Sequence, residues 1–224
     1  CSGFNNAVRY PMKISKSSYL SDIPIIASDV DKENFPYTPF SPLPKRFSMY
    51  ICGSPASGKT TLWTSLLLSH PTRKKPKTPR YYYRFFDRIE LISCSLQTLP
   101  LKKFGLPEPQ LNNKYSDELL EALIEDMRAG ENNNNLIVID DCIRDITRSK
   151  IVSKTILNRR HCTYDKEQED AASLSLMITS QKYNLLPLSF RCNMSHVIVF
   201  KTTNTAELNA IKDELMGDLN KEQQ

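Results

Sequence analysis

Glycine is scarce in this chain of 224 residues, with six in all, and tryptophan occurs once. No apolar run approaches the roughly 20 residues that a membrane-crossing helix needs, so no membrane span is expected. The N-terminal residues lack the continuous apolar stretch of a secretory signal. The six cysteines (Cys1, Cys52, Cys94, Cys142, Cys162 and Cys192) contain no C-x-x-C pair, which argues against a disulfide framework and for a reducing compartment. No internal repeat is visible. The first residue is Cys1 rather than Met, as in a fragment or a processed form.

What is present is ordinary globular material: 40% apolar and 25% charged residues exclude wholesale disorder and a fibrous protein. The net charge of +5 is a mild excess, so its placement matters more than its total.

Residues 1–46 carry six of the fourteen prolines, and Pro36, Pro39, Pro42 and Pro44 stand too close together for a helix or an interior strand. This stretch reads as an extended N-terminal arm, with one short strand near Ile23–Ile26; it serves as a spacer or packs on a neighbouring subunit. From Phe47 onward, apolar strings of strand length alternate with helical patterns. The strings are 47–52, 89–94, 135–140, 173–180 and 196–201. Nearly continuous apolar character marks strands covered on both faces, and the alternation marks an α/β fold with a mostly parallel sheet. Helices are expected at 59–69, 117–129, 147–158 and 207–216. The second has Ser116 as N-cap and Gly130 at its end. The last has capping-box-like spacing between Asn204 and Glu207 and places Leu208, Ile211 and Leu215 on one face. Residues 47–217 thus form the domain, and 218–224 a polar tail.

Residues 53–60 read GSPASGKT, a full match to G-x-x-x-x-G-K-[ST], with an apolar strand before it and a helix after it. The glycines let the chain wrap a phosphate, successive N–H groups line the cradle, and the helix N-terminus adds its dipole. The candidate nucleotide-binding residues are therefore Gly53, Ser54, Pro55, Ala56, Ser57, Gly58, Lys59, Thr60 and Thr61. Lys59 reaches the β- and γ-phosphates of ATP, and the Thr60 hydroxyl is a ligand for Mg²⁺. Downstream, LIVIDD (136–141) delivers two acids to a sheet edge: Asp140 for the metal and Asp141 to orient and deprotonate water. A third string, LSLMITSQ (174–181), ends in Gln181, suited to holding the γ-phosphate or the attacking water.

With these residues on the page, the chain resembles the FtsK/HerA superfamily of P-loop ATPases, and within it the poxvirus-type genome-packaging ATPases of large DNA viruses, virophages and related transposons. The resemblance is carried by GSPASGKT, LIVIDD, Asn158-Arg159-Arg160-His161 and MITSQKYNLLP (177–187), followed by Arg191 and Asn193. It spans roughly residues 47–215. It implies a three-layer P-loop NTPase with core strand order 5-1-4-3-2 and ATP hydrolysis coupled to translocation of double-stranded DNA. It also implies a homo-oligomeric ring, a pentamer or hexamer, and capsid or portal-vertex partners in a virion or viral factory. Many relatives carry Glu where this chain has Asp141. In such rings an arginine completes the neighbouring subunit's site; Arg160 is the first candidate, then Arg159 and Arg191.

Residues 73–88, RKKPKTPRYYYRFFDR, hold seven basic and five aromatic residues, a candidate DNA or pore-loop surface that runs directly into a strand. Arg144, Arg148, Lys150, Lys154, Arg159 and Arg160 form a second basic group. His161 with Cys162 and Cys142 matches no regular zinc spacing. Two other functions compete with a motor. One is a P-loop nucleotide or nucleoside kinase with the basic loop as a lid. The paired acids and the glutamine suit water attack, which a kinase must exclude. The other is a non-catalytic nucleotide-binding module, against which the intact lysine and acids stand.

Overall fold

The computed structural model describes residues 46–68, 85–99, 110–130, 134–159, 162–163 and 172–217. Residues 1–45 of the N-terminal arm, where the short strand near 23–26 is expected, and the C-terminal tail lie outside these residues. So do Arg160, His161 and most of the 73–88 stretch.

A six-stranded sheet organises the described residues. β1 is Ser48–Cys52, β2 Arg88–Ser93, β3 Leu111–Asn112, β4 Asn134–Asp140, β5 Ser173–Ser180 and β6 His196–Val199. The spatial order is β3-β2-β4-β5-β1-β6, and every pair is parallel. The five strands expected from the apolar strings stand in the order 5-1-4-3-2. The two-residue β3 is an addition at the outer edge of β2.

The sheet is covered on both faces, which explains the unbroken apolar strings. Side chains alternate along each strand. On one face Tyr50, Cys52, Ile137, Ile139, Leu174, Leu176 and Ile178 join a core with Leu120, Leu123, Ile124, Val152, Ile156 and Ile211. On the other, Met49, Ile51, Leu136, Val138 and Met177 pack with Trp63, Leu67 and Phe86. Helix α1 (Lys59–Leu68) therefore covers the second face. α2 (Asp117–Ala129), α4 (Lys150–Asn158) and α6 (Thr205–Leu215) cover the first. Two single-turn helices, α3 (Ile143–Ile146) and α5 (Leu188–Arg191), complete the set.

Local chemistry sets the helix starts. The Ser116 hydroxyl accepts from Leu119 N at 3.1 Å, with Asp117 and Glu118 in the first turn of α2. Ser149 accepts from Val152 N at 2.9 Å and splits the expected 147–158 helix into α3 and α4. Asn204 accepts from Glu207 N at 3.1 Å to open α6. One expectation fails there: of the three apolar residues placed on one face of α6, Ile211 is buried, but Leu208 and Leu215 are exposed.

Candidate nucleotide site

The loop after β1 is held from beneath. Gly53 N donates to Ser180 O at the end of β5, and Phe200 N, just beyond β6, donates to Cys52 O at 2.8 Å. The Phe200 side chain sits so close that a Cβ on Gly53 would lie 2.5 Å from its Cβ and 2.7 Å from Ser57 Oγ. Glycine at 53 is thus a requirement of packing. Gly58 is glycine for a different reason, since its φ of +102° is strained for any side chain. Ala56 also takes a left-handed conformation, φ +60°. Between these turns a concavity of about 180 Å³ is lined by Ala56, Ser57, Gly58, Lys59, Thr60 and Thr61. Lys59 Nζ donates to Gly53 O at 2.7 Å and Ser54 O at 3.0 Å, arching over the loop. Leu62 N closes the first helical turn onto Gly58 O at 2.8 Å.

Asp140 ends β4 and is 3% exposed. Its Oδ1 accepts from Thr179 Oγ1 at 2.8 Å and from Trp63 Nε1 at 3.2 Å, and its Oδ2 accepts from Ser93 Oγ at 3.4 Å. Burial pushes the Asp140 carboxyl above its ordinary range, and the Thr179 and Trp63 hydrogen bonds pull the other way. The donors come from β5, α1 and β2, so three elements aim one carboxylate.

Asp141 is exposed and left-handed, with φ +56°. Its N–H donates to Thr179 Oγ1 at 3.1 Å, and both its carboxylate oxygens lie 3.3 Å from Gln181 Nε2. The acid and glutamine expected to share the site are thus together at the carboxyl ends of the strands. The Gln181 turn is itself braced: Tyr50 Oη donates into the pair of carbonyls Lys182 O and Tyr183 O, both at 2.9 Å, and is bonded to Ser180 Oγ.

The arginines divide. Arg160 is outside the described residues. Arg159 Nε donates to Arg46 O at 2.8 Å, tying the end of α4 to the start of the domain. Arg191 is 9% exposed, paired with Glu214 through two nitrogens and stacked 4.7 Å over the Tyr183 ring. A finger that enters a neighbour's site needs a free, projecting guanidinium. Arg191 is instead engaged within its own chain, which weighs against it as a finger. Glu214 responds: the Arg191 hydrogen bond holds its carboxyl below the usual range.

The 73–88 stretch is described only at its end. There Phe86 is core, edge-on to Phe47 at 6.2 Å, and Arg88 pairs with Glu90 and Asp126. These residues are structural, not a nucleic-acid surface. Arg144, Arg148, Lys150 and Lys154 are exposed. The Cys142 sulfur has the Cys94 sulfur as its neighbour, at 3.2 Å.

Trp63, Thr179, Ser93 and Phe200 were not singled out from the sequence. Only Thr179 carried a signal, as a polar residue in an apolar string two positions before Gln181.

The site's loop, acids and sheet edge form a P-loop NTPase fold, and solved structures agree. The genome packaging NTPase B204 from Sulfolobus turreted icosahedral virus 2, in complex with AMP, is 15% identical with a TM-score of 0.56, over 77% of this chain and 83% of that one. The same protein in complex with ATP-γS gives 17% identity and a TM-score of 0.52, over 77% and 83%. B204, the DNA-packaging ATPase from Sulfolobus turreted icosahedral virus, gives 15% and 0.54, over 78% and 84%. At these identities the likeness establishes the fold. No protein-family model matches the chain, and no curated protein matches it.

Proposed function

We propose that this chain is an ATP-hydrolysing motor of the FtsK/HerA superfamily, of the poxvirus-type packaging kind, which drives double-stranded DNA into a capsid. The observation that carries the ATPase part is the meeting of Asp141 and Gln181, 3.3 Å apart, at the same sheet edge as the Lys59 loop. The strand order and the likeness to a genome-packaging NTPase support the motor reading.

The residues fit a nucleotide. Ser57 Oγ is buried with no hydrogen-bond partner, inside a cradle that a side chain at Gly53 would fill. An oxygen-rich phosphate satisfies such a group. They also fit Mg²⁺, which favours one or two protein oxygens plus phosphate and water over a protein cage. Thr60 and Asp140 would hold it, and it would neutralise charge on the phosphates. Among the described residues no cluster of three acid, histidine or cysteine side chains forms a metal cage.

The chain's own groups then divide the work. Main-chain N–H groups of 56–60 and the α1 N-terminus bind the phosphates. Lys59 leaves the Gly53 and Ser54 carbonyls for phosphate oxygens. Asp141 takes a proton from water whose position Gln181 fixes. Arg160, or Arg159 after release of Arg46 O, completes the site from a neighbouring subunit in a ring. Exposed Arg144, Arg148, Lys150 and Lys154 offer backbone contacts, which suffice for sequence-independent movement on DNA.

The test is ATP turnover with and without long duplex DNA, in wild type and Lys59→Ala. A motor speeds up with DNA and stops with the substitution. Turnover indifferent to DNA but dependent on a small phosphate acceptor would support a kinase instead. Mixing Arg160→Ala with Lys59→Ala subunits restores partial activity if Arg160 acts across subunits; no rescue at any ratio removes that assignment.

A further inference from the structure

Cys94 and Cys142 face each other where the strands bearing Ser93 and Asp140 end. Ser93 and Asp140 are paired in register on β2 and β4. One residue beyond Ser93 and two beyond Asp140, the sulfurs approach to 3.2 Å. Cys94 is exposed and Cys142 is buried. The Cys142 sulfur lies 3.4 Å from Asp140 O and 3.9 Å from Ile92 O, so it is fixed against the backbone that carries the acids. Separation this short, with the two residues just past the ends of adjacent parallel strands, is within small adjustments of a disulfide. Neither sulfur has a part in the hydrolytic site described above.

We propose that Cys94 and Cys142 form a reversible oxidation site: a peroxide-class oxidant converts them to a disulfide that displaces the Asp140–Asp141 turn and lowers nucleotide hydrolysis.

The chemistry balances with hydrogen peroxide as oxidant. Exposed Cys94 reacts first; its sulfur attacks one peroxide oxygen, the O–O bond breaks, and a sulfenic acid and one water result. The Cys142 sulfur then attacks the Cys94 sulfur. The S–S bond forms, the S–O bond breaks, and the hydroxide leaves with the Cys142 proton as a second water. The two sulfurs supply two electrons and the peroxide accepts them. Cys142, buried with its sulfur 3.2 Å from the Cys94 sulfur, is placed to act as the second, resolving group. A dithiol reductant reverses the change by exchange.

The consequence follows from what the pair is attached to. Closing the S–S bond shortens the gap between the two strand ends. Ser93 Oγ holds Asp140 Oδ2, and Asp141 is already in a left-handed turn, so the shift acts on both acids. Misplacement by about 1 Å can cost roughly 10²-fold in rate. Turnover should fall about tenfold or more.

The loss of turnover rests on the ATPase reading, but the disulfide does not. The full chain carrying Cys192→Ser, which removes the other exposed cysteine among the described residues, is treated with hydrogen peroxide, alkylated and mapped without reduction. Expected is a linked Cys94–Cys142 peptide that disappears with dithiothreitol and is absent in Cys94→Ser. Trp63, the single tryptophan and a donor to Asp140, gives a readout needing no nucleotide: its emission should shift on oxidation and return on reduction. Turnover should fall and recover in parallel, and Cys94→Ser should resist the oxidant. Cys142 recovered in alkylated form after Cys94 has oxidised would overturn the site. A linked pair with unchanged emission and unchanged turnover would overturn its coupling to the acids. A reduced chain that hydrolyses nothing sinks the ATPase reading alone, because mapping and emission still decide.

Discussion

A single hydroxyl joins the two acids of the site: Thr179 Oγ1 donates to Asp140 Oδ1 at 2.8 Å and accepts from Asp141 N at 3.1 Å. Its place follows from register. β4 and β5 run parallel with Ile139 opposite Ile178, so the next step sets Thr179 beside Asp140. A hydrogen bond to a charged group contributes about 1.5–3 kcal/mol. Thr179→Val should therefore cut ATP turnover by about 10- to 100-fold with a higher Mg²⁺ requirement, while Thr179→Ser keeps most of it. A Mg²⁺ titration of steady-state turnover separates the two; equal behaviour of Val and Ser would remove Thr179 from the site.

Asp140→Asn should stabilise the folded chain while abolishing turnover. Burial raises the Asp140 carboxyl in the folded state, so ionising it opposes folding, and that opposition grows as pH rises through the raised value. Asparagine keeps an oxygen to accept from Thr179 and Trp63 without a charge. Thermal unfolding at pH 5 and pH 8 should show the gain in Tm larger at the higher pH.

Gly53→Ala should destabilise by about 1–3 kcal/mol, because the new Cβ lies 2.5 Å from Phe200 Cβ, closer than real side chains allow. Phe200→Ala vacates part of that space. In a double-mutant cycle by denaturant unfolding, the pair should cost less than the sum of the single changes. Additive costs would mean that the loop relaxes elsewhere.

Glu214→Gln should lower stability at neutral pH, and the deficit should shrink on acidification. The Glu214 carboxyl is held low by Arg191, so its contribution is present above the unfolded-state value and is lost as pH falls through the folded one. Urea midpoints at pH 7 and pH 3 test this. The same network predicts that Arg191→Ala loses activity in step with stability.

How much of this was legible beforehand depends on range along the chain. The strands were readable because each is covered on both faces and therefore apolar throughout. β3 was not, since Leu111 and Asn112 are too few to show a period. The break between α3 and α4 rests on one serine cap inside an otherwise helical pattern. Leu208 and Leu215 have helical spacing, yet spacing cannot say how wide a face the rest of the fold will cover. At the site, the loop and the acids are contiguous motifs. Their supports are not: Trp63 reaches Asp140 across 77 positions and Ser93 across 47. Such pairs exist only once strand order is known. Arg191 stood beside the conspicuous MITSQKYNLLP segment, but its partner Glu214 lies on the last helix.

The backbone at Asp141 bears on a detail of side-chain length. With φ at +56°, the residue occupies a region that aspartate and asparagine enter several-fold more readily than longer side chains, because a short carboxyl bonds locally. A short acid and a tight corner thus belong together at this position. On the hydrolytic role proposed above, Asp141→Glu would strain this left-handed corner and lower turnover even though a carboxylate is kept.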